Sequence, residues 1–416
     1  MKLLYLISFL CLLHAGSTLE FTILDILRSL EQITEGVIAS APGPLRPQYI
    51  FKTIKNAVEG LPFQIASAAA NAICSAVIAR GRDQTPNQYK PRLEDIKFQF
   101  RTACDKREYP IEDPSGLADD EDFDPQKQTV IFSTGWTTTV NNERHDALSK
   151  AYNCRGDTNY LALDVGDYIN TLYVWSAENT DTIGRYVAEG IQRLESVIDI
   201  GNLHIMGHSL GAQIMGSAAR YYRDLTGNTL PYVTGIDPAL PCFNEGEVLT
   251  VISSSDAEFV DIIHTNPGVN GQVLSFGHVD FYVGGKFPIQ DACNDPQCSH
   301  EIVWKYYTES VYPNNVDDFL ATRCSSLNSL QEGKCRGNVS PMGYAVPHDI
   351  RGRYILEVNA EKPYGKNATA DYTDPDASVC GSCQELGSFS NRWISYSCCS
   401  HTCIYIWMCI SVMYVM

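Results

Sequence analysis

Three features of the 416-residue sequence predict an α/β fold with a mostly parallel central sheet. From about Ile96 onward, short apolar runs alternate with helical stretches, the rhythm of strand-helix-strand units. The runs are continuous rather than alternating, as strands covered on both faces require. One of them passes through Gly207-His208-Ser209-Leu210-Gly211 directly into a helix. The composition, 44% hydrophobic and 19% charged, is that of a globular chain. A formal net charge of -18 gives nucleic-acid phosphates the wrong field, so no nucleic-acid partner is expected. The apolar runs at the two ends fall short of the roughly 20 residues of a spanning helix, which excludes a polytopic membrane protein.

In chain order, Met1-Lys2, the apolar stretch Leu3 to Leu13 and the small residues Ala15-Gly16-Ser17 read as a secretory signal over residues 1–17, and hence as a secreted, extracellular protein. Of the 15 cysteines, all but Cys11 follow that signal and are expected to form disulfides in an oxidising compartment. Cys380 and Cys383 with Cys398-Cys399 give poor zinc geometry, because adjacent cysteines are awkward tetrahedral ligands. Asn338 and Asn367 open glycosylation triplets, in keeping with export. Residues 18–92 read as a helical extension and linker. Ile23, Ile26, Leu27 and Leu30 recur at helical spacing, Ile65 to Ile78 is Ala-rich, and Pro86 and Pro91 mark the exit. A pro-segment, an interface-seeking arm and plain packing helices all remain open for it.

Residues 93–365 form the expected catalytic-type domain. Asp119-Asp120-Glu121-Asp122 reads as a solvated loop. Buried strands are expected at Val130 to Phe132, Tyr160 to Leu163, Leu203 to Met206 and Tyr232 to Ile236. Thr180-Asp181 is expected to cap a helix that carries Ile183, Val187, Ile191 and Leu194 on one face. Residues 366–416 form a Cys-rich tail of uncertain structure, ending in an apolar run for which a removable anchor signal and an unstructured end both stay open.

The chemistry centres on Ser209. A strand turning sharply into a helix exposes the serine in a strained conformation, and the helix amides favour developing negative charge. The bare Gly-x-Ser-x-Gly pattern arises by chance in roughly one chain in seven of this length, so its strand-before, helix-after setting carries the weight. A serine nucleophile needs an acid and a base, which in such folds follow it in that order. Asp237 ends the strand Tyr232 to Ile236 and precedes Pro238, placing a carboxylate at a carboxyl strand edge. Among later histidines, His264 and His278 sit in apolar runs where core histidines are expected, while His348 and His401 lie in irregular stretches. His300 follows Cys293 to Ser299 and precedes a helix, on a loop that a small disulfide can pin. Spacing alone does not separate it from His348.

Gly207-His208-Ser209-Leu210-Gly211-Ala212, Gly235-Ile236-Asp237-Pro238-Ala239-Leu240-Pro241-Cys242-Phe243, Asp256 to Thr265 and Cys298-Ser299-His300 together resemble the pancreatic-lipase-like family, which includes the venom phospholipases A1. The resemblance covers about Ile96 to Gly365 and implies an α/β-hydrolase fold with Ser209 as nucleophile, Asp237 as acid and His300 as base. It also implies an oxyanion hole made by the backbone amides of Leu210 and Trp136, and local disulfides Cys293 with Cys298 and Cys324 with Cys335. Thr134 stands where many members have His. Counting back from Asp256, the positions that match the family's calcium ligands are Val248, Val251 and Ser253, so no metal and no cofactor are expected. After Gly365 only 51 residues remain, so the family's C-terminal β-sandwich lipid-binding domain is expected to be absent.

Substrate expectations rest on the lid, which in the family lies between the two cysteines just before the histidine. Here only Asn294 to Gln297 separate Cys293 from Cys298, too few for an amphipathic helix that covers a site. With the short loop Asn266 to Ser275, this looks like the phospholipase A1 and galactolipase relatives. The expected partner is therefore a lipid at a membrane, micelle or droplet surface, attacked by phospholipase A1-type acyl hydrolysis. A triacylglycerol lipase is the alternative, and a catalytically silent lipid-binding or yolk-storage protein the alternative of another class.

Overall fold

The computed structural model describes residues 85–171, 173–243 and 249–383. The expected signal peptide, nearly all of the helical extension and the chain from residue 384 lie outside the described residues. Eleven strands build one sheet: β1 Lys97–Arg101, β2 Lys106–Pro110, β3 Gln128–Ser133, β4 Thr158–Asp164, β5 Leu203–His208, β6 Leu230–Ile236, β7 Ala257–His264, β8 Val279–Val283, β9 Leu320–Cys324, β10 Val339–Pro341 and β11 Gly352–Leu356. Their order is β10-β9-β11-β8-β7-β6-β5-β3-β4-β1-β2. The seven strands from β11 to β4 run parallel, while β1 and β2 on one side and β9 and β10 on the other run antiparallel. The four apolar runs expected to be strands fall within β3, β4, β5 and β6.

The described α-helices are α1 Glu143–Arg155, α2 Tyr173–Leu194, α3 Leu210–Thr226, α4 Pro296–Glu301, α5 Val303–Val311 and α6 Leu327–Gln331. The period-two alternation of side chains along each strand sorts the core into two layers. Ile131, Leu161, Ile205 and Val260 face α2 and α3, where Ile183, Val187, Ile214 and Met215 meet them. Their neighbours Phe132, Tyr160, Met206 and Phe259 face α1 and α5, against Leu148, Tyr152, Val303 and Tyr307. Each fully buried apolar side chain stabilises the fold by roughly 1.5–3 kcal/mol, so both faces of the sheet are needed for stability. None of the described helices is long and apolar enough to cross a membrane.

Two local expectations require correction. Thr180 does not cap a helix, because α2 begins seven residues earlier at Tyr173 and Thr180 returns its hydroxyl to the Ala177 carbonyl (2.7 Å) inside the helix. The acidic run is not wholly solvated, because the Asp120 side chain is buried, pairs with Arg107 (3.1 Å) and accepts the Tyr109 hydroxyl. Beyond residue 365 the chain continues along the body. Tyr372 donates to Glu309 (3.1 Å), Lys150 to the Pro375 carbonyl (2.7 Å), and Cys154 forms a disulfide with Cys380 that the sequence reading left unassigned. Asn338 and Asn367 are both exposed.

Asp261 on β7 is fully buried. Its Oδ1 accepts the Thr234 hydroxyl (2.5 Å), its Oδ2 has no partner, and burial pushes its carboxyl up to about 7. The same group in the unfolded chain ionises near pH 3.9, so between about pH 4 and 7 the folded chain holds the extra proton. This group's contribution to stability therefore falls as pH rises through that window and levels off above it. Asp261→Asn is expected to melt several degrees above wild type at pH 8 and to lose that advantage toward pH 4. Parallel melting-temperature profiles for the two proteins would contradict the assignment.

Candidate active site

Strand β5 ends at His208, and the chain turns at Ser209 with φ 57 and ψ -121 before α3 starts at Leu210. A positive φ is costly for a residue with a Cβ, and the turn is held by its neighbours. The Ser209 amide donates to the Ile236 carbonyl (3.1 Å), and the Ser209 carbonyl accepts the amides of Ala212 and Ala239 (3.1 Å each). Close approach fixes two glycines here. A Cβ on Gly211 would lie 2.3 Å from the Ser133 carbonyl oxygen and 2.5 Å from that of Thr134. A Cβ on Gly135 would lie 2.5 Å from the Ser209 Cβ. The segment after β3 that carries Trp136 is thereby packed directly against the serine turn.

Asp237 follows β6 at the neighbouring carboxyl end, also at positive φ (42°), and is fully buried. Its Oδ1 accepts the amides of Thr265 (2.9 Å) and Asn266 (3.1 Å), which orients Oδ2 toward His300. His300 does not lie on a loop. It sits in α4, a short helix begun by Pro296 and capped by the Asp295 carboxylate, which accepts the amides of Gln297 (2.8 Å) and Cys298 (3.0 Å). The Cys293–Cys298 disulfide closes the turn ahead of it. His300 Nδ1 lies 2.5 Å from Asp237 Oδ2, and His300 Nε2 lies 2.8 Å from Ser209 Oγ. A carboxylate can only accept, so Nδ1 carries the proton and Nε2 offers its lone pair to the serine hydroxyl. The structure thus joins in one hydrogen-bonded chain three residues that span 92 positions of sequence.

His208 adds a contact that sequence reasoning did not single out, although it lies inside the serine motif. Its Nε2–H donates to the backbone carbonyl of His300 (2.9 Å), and the two rings lie 4.8 Å apart. Burial holds the His208 imidazole well below its usual pKa, so it stays neutral. A cleft open to solvent lies over Ser209. Trp136, Tyr173 and Pro241 line it, with the Trp136 indole donating to the Thr171 carbonyl (2.9 Å) and the Tyr173 hydroxyl to that of Pro241 (2.9 Å). Gln297 and Glu301 on α4 also line it, with Asn270, whose side-chain amide lies 3.5 Å from the Pro296 carbonyl at the start of that helix. Glu301 accepts from Gln297 (3.1 Å) and from Arg144 on α1, a partner 157 positions away for which no local sequence signal exists.

The remaining candidates lie elsewhere. His264 is a satisfied core residue between the Gln272 carbonyl (2.8 Å) and Asp280 (2.9 Å), and His278 accepts the Val260 amide (3.0 Å). His348 stacks on Phe259 at 4.4 Å, while His401 lies outside the described residues. Cys324 pairs with Cys335. Of the residues at the calcium positions, Val248 lies outside the described residues. Asp256 instead accepts from Arg220 (2.7 Å), whose guanidinium also donates to the carbonyls of Thr250 (3.1 Å) and Val251 (3.4 Å). Among the described residues no group of three or more His, Cys, Asp or Glu is arranged to hold a metal ion.

A fluorophosphonate probe tests this arrangement chemically. It is expected to label Ser209, and His300→Ala is expected to slow labelling at least about 10²-fold. Equal labelling rates, read by intact-protein mass, would show that the imidazole does not activate the hydroxyl.

The family model described as Lipase matches residues 64–364. Vitellogenin-1 of Ceratitis capitata is 31% identical over 214 residues, 51% of this chain and 49% of that one. Lipoprotein lipase of Rattus norvegicus is 29% identical over 309 residues, 65% of this chain and 64% of that one. Pancreatic triacylglycerol lipase of Sus scrofa is 28% identical over 280 residues, 59% of this chain and 60% of that one. The chain thus spans between about half and two thirds of the length of these relatives.

Proposed function

The chain belongs to the lipase family, the pancreatic-lipase-like family its motifs resemble, and from that premise we propose that it is a secreted carboxylic-ester hydrolase acting on lipids through an acyl-serine intermediate. The observation that carries this reading is the chain of hydrogen bonds from Ser209 through His300 to Asp237 beneath an open cleft. In the proposed mechanism His300 takes the proton from Ser209 as Oγ attacks the ester carbonyl. The amides of Leu210 and Trp136 stabilise the oxyanion, and Asp237 orients the imidazole and stabilises its charged form. His300 then returns the proton to the leaving alcohol, and water repeats the sequence on the acyl-serine. No cofactor takes part.

Within that class we favour phospholipase A1-type hydrolysis. Three of the four residues between Cys293 and Cys298 are taken up by the cap and first turn of α4, so this segment has no length left for a helical lid over the cleft. Polar head groups then have access that a helical lid would deny. Likeness to Vitellogenin-1 supports a second reading, lipid binding or storage without turnover. The intact Ser209, His300 and Asp237 favour the enzyme.

Ser209→Ala is expected to lower kcat/KM by at least about 10³-fold on any ester substrate, and undiminished turnover would end the mechanism. On phosphatidylcholine with two different acyl chains, release of the sn-1 chain is expected, faster than release from trioctanoylglycerol. The reverse preference would return the reading to a triacylglycerol lipase, and lipid binding without turnover would favour storage.

A further inference from the structure

The proton that leaves His300 marks the side of the cleft on which the leaving alcohol must stand, because Nε2 has to reach the departing oxygen. That side is built from the helix of His300 itself. Gln297 and Glu301 lie three positions before and one after it on α4, and Asn270 faces them from the loop after β7. Three hydrogen-bonding side chains therefore line the cleft beside His300, and the one formal charge among them is negative. Among the described residues, no Lys or Arg lines the cleft. Arg144, the counter-charge of Glu301, is itself buried and does not line the cleft, so the carboxylate stands nearer the substrate than the guanidinium does.

We propose that Asn270, Gln297 and Glu301 form a leaving-group subsite that accepts alcohols rich in hydrogen-bonding groups and without net negative charge, and that disfavours anionic ones. This rests on the hydrolase reading above and narrows its substrate class to glycerides, glycosylated glycerides and zwitterionic phospholipids over anionic phospholipids. Glu301 is a specificity-determining residue here. Gln297 fixes one carboxylate oxygen and Arg144 the other, so the charge is held in place rather than free to swing aside. An anion brought within several ångströms of this carboxylate in a half-desolvated cleft meets a repulsion worth on the order of tenfold in rate.

The test uses hexanoyl esters of choline, glycerol and glycerol 3-phosphate, all monomeric in solution, so that no lipid surface contributes. Wild-type kcat/KM is expected to be on the order of tenfold lower for the phosphate ester than for the glycerol ester, with the choline ester at least as fast as glycerol. Gln297→Lys, at an exposed position, is expected to erase or invert that order, and Glu301→Gln to flatten it. Because Glu301→Gln strips Arg144 of its counter-charge, Gln297→Lys carries the test if the former does not fold. The ratio between two esters of one acid cancels any effect shared through His300, which a merely structural change would leave unmoved. A wild-type enzyme that hydrolyses the phosphate ester as fast as the glycerol ester, or a Gln297→Lys ratio within twofold of wild type, overturns this inference alone. Failure of the wild-type chain to hydrolyse any of the three overturns the hydrolase reading and this inference with it.

Discussion

The site depends on one strained residue held by its neighbours. Ser209 has a backbone conformation that residues with a Cβ adopt at a cost of about 1–3 kcal/mol, and it is the adjacent strand that sustains it. Its amide bonds to the end of β6, and its carbonyl accepts the amide of Ala239, just beyond Asp237. The hydrogen bonds that force the serine out of the strand are thus made to the segment that carries the carboxylate. The distance between the proposed nucleophile and the proposed acid is therefore set by sheet register rather than by side-chain flexibility, and His300 has only to be brought in from above.

His300 is brought in by a different means. Its helix is six residues long, too short to be stable alone, and it is fixed from four directions: the Asp295 cap, the Cys293–Cys298 bridge, the Asp237 carboxylate and the His208 imidazole that holds its carbonyl. His208 and Ser209 are consecutive, so one turn of chain touches both the side chain and the backbone of the histidine. Such redundancy matters because a proton relay loses efficiency when its atoms drift by about an ångström.

Much of this was legible in the sequence, and the boundary of legibility has a physical cause. Ser209 and Asp237 lie at the ends of apolar runs that read as strands, so local pattern locates them. His300 did not separate from His348 on pattern alone, because what distinguishes it is a short helix whose cap, Asp295, and whose partners lie across the chain. The start of α2 was missed because Thr180 resembles a cap, although a threonine inside a helix can satisfy its hydroxyl on the preceding turn instead. Arg144 with Glu301, and Cys154 with Cys380, join residues 157 and 226 positions apart, and nothing in the local composition of either partner names the other.

Two arginines show how the chain uses fixed cations. At Asp256, the guanidinium of Arg220 gathers a carboxylate and two backbone carbonyls, a set of oxygens that would otherwise repel one another once removed from water. A planar guanidinium serves there because its donors diverge toward several oxygens at once and its charge does not titrate. At Glu301, Arg144 performs a narrower task, pairing with one carboxylate oxygen from the buried side while the other oxygen is held by Gln297 at the cleft. The first cation ties a loop to α3, the helix that begins just after Ser209, and the second holds in place the Glu301 carboxylate that faces the leaving group. Removing Arg220 would strip the fully buried Asp256 carboxylate of its counter-charge, which costs more than the pair contributes when intact, and removing Arg144 would strip the partly exposed Glu301 of its own. These two positions are therefore where the stability of the scaffold and the electrostatics of the cleft are most tightly coupled.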